Sequence, residues 1–182
     1  MQPSLSKTQL LVLNGVIAGT YAALTLVASA LNLAYGPVQF RFSEALTVLP
    51  FLFPGTWPGL FVGCLIANLL SPYGLIDIVV GSLATLLAAL WTARVKHSWA
   101  APIPPVICNM VLVGAMIAWY EVGFTGKFPA VFAANALWVG IGEAAVCFIL
   151  GLLLLREMPK ISYLRKFMTP KVTGMQFNNG IG

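Results

Sequence analysis

The chain has 182 residues, 59% of them hydrophobic and 8% charged, with a formal net charge of +5. A soluble domain carries about a quarter charged residues, because water must wet its surface. A chain this poor in charge cannot do that, which excludes the soluble globular classes and leaves a polytopic membrane protein.

In chain order, the first apolar run is 10–33. It is too long for a signal-peptide core and no A-x-A-type cleavage site follows it, so it is expected to stay as a span. Its stretch GVIAGTYAA places Gly15 and Gly19, and Ala18 and Ala22, four apart on neighbouring helix faces. Small residues so spaced let a second helix approach closely; by spacing alone, packing within the chain accounts for them. Two short apolar segments follow, 43–54 and 58–70, punctuated by Pro50, Pro54 and Pro58. Proline interrupts helical hydrogen bonding, so these form either two short spanning helices or one re-entrant hairpin. The runs 73–93, 102–120 and 130–155 each approach the roughly 20 residues that cross about 30 Å of hydrocarbon. The expected fold is all-α, a six-transmembrane-helix bundle over 1–158 with a basic tail over 159–182; the helix count falls to four if the middle pair is re-entrant. Cys64, Cys108 and Cys147 lie far apart in apolar runs without metal-ligand spacing, and are expected to pack as small apolar side chains.

Basic residues set the orientation. With the N-terminus in the cytoplasm, Lys7, Arg94, Lys96, Arg156, Lys160, Arg165, Lys166 and Lys171 fall inside, and only Arg41 and Lys127 outside. That bias puts both termini in the cytoplasm of a cell-membrane protein. The net charge then reflects topology rather than nucleic-acid binding. The tail past 155 reads as a stop-transfer and headgroup-binding segment, and its end, TGMQFNNGIG, is expected to be poorly ordered.

With this topology the polar residues gather toward the outer side. Gln39, Arg41 and Glu44 stand at the outer end of helix 2, Asn68 near that of helix 3, and Asp77 in the first turns of helix 4. Asn109 lies mid-helix 5 on a face with Val113, Met116 and Tyr120; Asn135, Trp138 and Glu143 occupy the outer half to middle of helix 6. Charges inside spans are costly and face a bundle interior or aqueous cavity, so one outward-opening pocket is expected. Each residue also has a plainer reading. Arg41 and Glu44 suit an interfacial ion pair, with Ser43 as N-cap and Glu44 favoured by the helix dipole. Asp77 suits a helix start, Asn109 and Trp138 suit helix packing, and Glu121 suits an outer loop. Glu143, about twelve residues into its run, is the hardest to assign to structure alone.

The sequence holds no Walker A motif, no H-E-x-x-H, no G-x-S-x-G and no evident pair of broken helices; its one histidine, His97, sits in a basic loop. A bundle with a pocket and no ATP site of its own points to binding without catalysis, powered from elsewhere. The segments YGPVQFRFSEALTVLPFLFP, PGLFVGCLIANLLSPYGLIDIVVGSLATLLAA and GIGEAAVCFILG resemble the QueT family, over roughly 10–155. These are substrate-binding S-components of energy-coupling factor (ECF) transporters assigned to queuosine precursors. The resemblance implies six helices, an extracellular substrate pocket, and dependence on a T-protein and two cytoplasmic ATPases, so that ATP is used only by partners. It also implies that an Ala-x-x-x-Ala motif on helix 1, matched by Ala18 and Ala22, contacts the T-protein. The implied ligand is a 7-deazaguanine such as preQ1, queuine or queuosine. Glu143 or Asp77 is expected to read its guanine-like edge, and the other acid, or Glu44, to hold its amine. Stacking on an aromatic face is the role open to Trp138. Alternatives are an S-component for another vitamin or purine-like ligand, or a self-sufficient proton-coupled carrier; a lipid-modifying enzyme fails for want of a nucleophile–base pair.

Overall fold

The computed structural model describes residues 5–34 and 39–169, and these are helical throughout apart from connections. Helix α1, Lys7–Ala30, starts at a capping box: Ser6 Oγ accepts from the Gln9 amide at 3.2 Å, and Gln9 Oε1 accepts from the Ser6 amide at 2.9 Å. Helix α2, Phe42–Leu52, is 3-10 helical over Phe42–Val48 and α-helical only over Leu49–Leu52, where Pro50 begins it and Pro54 follows its end. Helix α3, Trp57–Asn68, carries Pro58 in its first turn, where the missing amide proton is not needed. Helix α4 is Leu75–Thr92, α5 is Ser98–Val122, α6 is Phe128–Lys160, and a last turn, α7, is Ser162–Arg165. Two of these are locally widened into π turns, α5 at Asn109–Val113 and α6 at Cys147–Gly151.

By length and composition α1, α4, α5 and α6 can cross a membrane. A 12-residue helix such as α3 rises only about 18 Å, short of the roughly 30 Å of hydrocarbon. Four spans is the smaller of the two counts expected. The distribution of polarity is that of a bundle in lipid: Leu11, Leu75, Val79, Leu83, Leu87 and Ile149 point outward, while Gln39, Arg41, Glu44, Asp77, Asn109 and Glu143 are buried.

Close packing rests on small residues, since no hydrophobic force separates helix from lipid. Helix α1 lies along α3, and α3 along α4. A Cβ at Gly63 would sit 2.8 Å from Tyr21 Cβ and 2.9 Å from the Ala18 carbonyl. Asn14 bridges the same interface, accepting from the Gly59 amide at 2.6 Å and donating to the Gly55 carbonyl at 3.0 Å. Ala18 and Ala22, each 8% exposed, therefore line the α1–α3 seam. On the neighbouring face of α1, Gly15, Gly19 and Ala23 are uncovered. Gly63→Leu is expected to lower stability in detergent by about 1–3 kcal/mol, the cost of overpacking. Gly19→Ala, where nothing lies within 4 Å, should leave the melting temperature nearly unchanged.

The described part of the basic tail docks rather than trails. Met168 joins Val48, Phe51, Leu52 and Leu155 in one apolar cluster. Thr169 donates its amide to the Leu52 carbonyl and its hydroxyl to the Phe51 carbonyl, both at 3.0 Å. These two carbonyls belong to the final α-helical turn of α2, so the tail satisfies acceptors the short helix leaves open. The expectation for TGMQFNNGIG lies outside the described residues.

Candidate functional site

The 3-10 winding of α2 is what organises its polar residues. Three residues per turn bring Glu44 and Thr47 onto one line, and the Thr47 hydroxyl donates to the Glu44 carbonyl at 2.6 Å. Ser43 does not cap the helix: the cap position is Arg41, whose side chain makes no capping bond, and Ser43 Oγ instead lies 2.7 Å from Thr25 Oγ1 on α1. The Glu44 carboxylate accepts from the Tyr21 hydroxyl of α1 through Oε1 and from Asn109 Nδ2 of α5 through Oε2, at 3.5 Å. Cys147 of α6 donates its thiol to the Glu44 carbonyl at 3.5 Å. Glu44 is thus the point on which α1, α2, α5 and α6 converge.

Asp77 belongs to a second arrangement. Arg41 Nη2 reaches Asp77 Oδ2 at 3.2 Å, with the two side chains 4% and 0% exposed, and Ser71 Oγ donates to the same oxygen at 2.6 Å. Arg41 Nε donates to the Ala34 carbonyl at 3.2 Å, and Asn68 Nδ2 to the Asp77 carbonyl at 3.0 Å. The ion pair ties the stretch leading into α2 to the start of α4. An expected partnership of Arg41 with Glu44 is replaced here by Arg41 with Asp77. Gly81 makes room for it, since a Cβ there would lie 2.5 Å from Asp77 Oδ1.

Glu143 is 3% exposed, and its hydrogen bond among the described residues is a long one from the Cys147 thiol, 3.7 Å to Oε2. The Asn109 amide lies beside it, and Glu44 and Arg41 are within electrostatic reach. A buried carboxylate normally has strong donors or a cation against it, because desolvation of the charge is otherwise uncompensated. Asn109 opens the π turn of α5, and Cys147 that of α6, so both widened turns face this carboxylate pair. Such turns redirect side chains off the regular helical rows. On α6, Gly142 meets the Gln39 backbone so closely that a Cβ would strike its carbonyl oxygen.

The structure brings together Gln39, Arg41, Glu44, Asp77, Asn109 and Glu143, and leaves two candidates apart. Trp138 is 46% exposed; it precedes Val139, at the centre of the buried stripe of α6, by 100°. Asn135 is on the stripe by angle but about 12 Å up the helix from Glu143, where its Nδ2 donates to Glu121 Oε2 at 3.1 Å. Glu121 closes α5 rather than occupying a loop. Sequence reasoning missed Tyr21, Thr25 and Ser71. The first two carried a readable signal: two hydroxyls four apart inside an apolar span, hence on one helix face.

The arrangement has a definite charge balance. Among the described residues, three carboxylates are buried against one buried cation, and Arg41 serves Asp77. Glu44 is met by neutral donors and Glu143 by a thiol and an amide. Such a charge balance suits a molecule bearing several N–H donors or a positive charge.

A family model described as QueT transporter matches residues 11–160. The Queuosine precursor transporter QueT of Lactococcus lactis subsp. cremoris (strain MG1363) is 37% identical over 81 residues, 44% of this chain and 47% of that protein. The aligned stretch spans about half the length of that relative. No solved structure matches the chain.

Proposed function

The chain belongs to the QueT transporter family, and on that premise we propose that it is the substrate-binding subunit of an ECF-type importer. It captures a queuosine precursor or salvage form, a 7-deazaguanine such as preQ1, queuine or queuosine. The observation that carries this reading is Glu143, a carboxylate 3% exposed that among the described residues meets neutral donors, the Cys147 thiol at 3.7 Å and the Asn109 amide, and has no cation bonded to it. A 7-deazaguanine supplies what that carboxylate lacks: a ring N–H and an exocyclic amine side by side, which two carboxylate oxygens accept as a pair. The aminomethyl group of preQ1 is cationic at neutral pH, and Glu44 is the neighbouring charge that favours it. Asp77, matched by Arg41, holds the chain around the pocket.

In this reading the pocket opens outward and both termini lie in the cytoplasm at the plasma membrane, as the basic residues argue. A T-protein and two cytoplasmic ATPases supply the driving force, and ATP is hydrolysed only there. The T-protein seats on α1 at Ala18 and Ala22, beside the uncovered strip Gly15, Gly19 and Ala23. The purified chain, without ATP or partners, is expected to bind preQ1 saturably by calorimetry and to retain one ligand in native mass spectrometry. Absence of binding to any 7-deazaguanine overturns the reading. Uptake by the chain alone in vesicles carrying a proton gradient would replace it with a self-sufficient carrier.

A further inference from the structure

Four buried side-chain atoms have no hydrogen-bond partner among the described residues: Gln39 Nε2, Asn68 Oδ1, Asp77 Oδ1 and Ser82 Oγ. The Asn68 and Asp77 oxygens flank the Arg41 ion pair and are acceptors, and the Ser82 hydroxyl lies on α4. Gln39 Nε2 is the one that can only donate. Gln39 is 2% exposed, and its backbone presses on Gly142, the residue that precedes Glu143 on α6. A buried amide donor with nothing to bond is costly, and an apolar side chain of the same size would fill the space without that cost. The placement makes sense if an acceptor arrives with the ligand.

We propose that Gln39 Nε2 is the donor for the ring carbonyl of the substrate, and that Gln39 sets the specificity of the pocket for a 6-oxo base. The inference rests on the reading under Proposed function and assigns a role within it. The edge of a 7-deazaguanine presents a carbonyl acceptor, then a ring N–H, then an amine. A carboxylate offers two acceptors and no donor, so Glu143 alone satisfies the last two groups and leaves the carbonyl desolvated. A buried carbonyl without a donor would cancel much of the gain at the other two positions. The Gln39 carboxamide, held against the α6 turn that carries Glu143, completes a donor–acceptor–acceptor face. Rejection of bases that lack the carbonyl then follows from leaving both partners unpaired.

The probes are 7-aminomethyl-7-deazaguanine and its 6-thioxo counterpart, which keeps the ring N–H and the amine but presents a weak acceptor in place of the carbonyl. Calorimetry on the purified wild-type protein and on Gln39→Met, a substitution of similar volume, gives four dissociation constants. The wild type is expected to bind the oxo ligand about tenfold more tightly than the thioxo ligand, and Gln39→Met to bind the two alike. The result is a ratio, so a partly misfolded variant, which loses sites for both ligands equally, cannot imitate it. Discrimination retained in Gln39→Met overturns the assignment while leaving the substrate reading intact. Equal binding of the two ligands by the wild type also overturns it, without recourse to any variant. A wild-type protein that binds neither ligand overturns the substrate reading and this inference together.

Discussion

Glu143→Gln is expected to weaken binding of an aminomethyl 7-deazaguanine by about 2–5 kcal/mol, roughly thirtyfold or more in dissociation constant. The amide keeps the shape of the side chain but offers one acceptor where the carboxylate offers two, and it removes the charge. The same substitution is expected to leave the unliganded protein as stable as the wild type, or more so. A carboxylate 3% exposed, met among the described residues by a 3.7 Å thiol contact and the neutral Asn109 amide, carries a desolvation cost that such neutral donors offset only in part. Opposite signs for ligand affinity and unliganded stability are the signature of a residue kept for binding. Calorimetry and thermal melts on one preparation test both. Parallel losses in the two measurements would make Glu143 a structural strut.

Arg41→Met should act in the other direction, on stability first. It strands Asp77, which is fully buried, with only the Ser71 hydroxyl on its carboxylate among the described residues. Breaking a buried pair from one side costs about 3–5 kcal/mol, most of it the uncompensated charge that remains. The double variant Arg41→Met with Asp77→Asn removes both charges and is expected to recover the greater part of the loss. Unfolding in detergent, followed for the two single variants and the double, separates the coupling from the sum. A double variant no more stable than Arg41→Met would show that Arg41 acts through contacts other than Asp77.

The contrast between these two acids was beyond sequence reasoning, which held Glu143 and Asp77 as interchangeable readers of the ligand. Both are rare carboxylates near helix positions, and nothing in their spacing says which one faces an arginine. The alanines of α1 make the same point. Ala18 and Ala22 and the pair Gly15 and Gly19 lie on adjacent faces, and a rotation of α1 by about 60° would exchange seam and surface. Gly63 on α3 decides between them, by letting the backbone at Ala18 approach to van der Waals contact. Trp138 lies apart for a related reason: the stripe α6 buries is centred near Val139, and Trp138 falls 100° from that residue, beyond the stripe's edge at Gly142.

The amino-acid order on its own determined that this chain lies in a bilayer as a helical bundle, that four of its apolar runs are long enough to span, and that most of its ionisable residues within those segments turn inward. Those properties are local or compositional: hydrocarbon rejects unpaired charge and open backbone, whatever the neighbours are. Only the tertiary structure decided the pairings, Arg41 with Asp77 across 36 residues and Glu44 with Asn109 across 65. Such contacts depend on the rotation of each helix about its axis and on turns that break regular periodicity. The 3-10 winding of α2 and the π turns at Asn109 and Cys147 set those rotations, and packing between helices, rather than the propensity of any one segment, selects them.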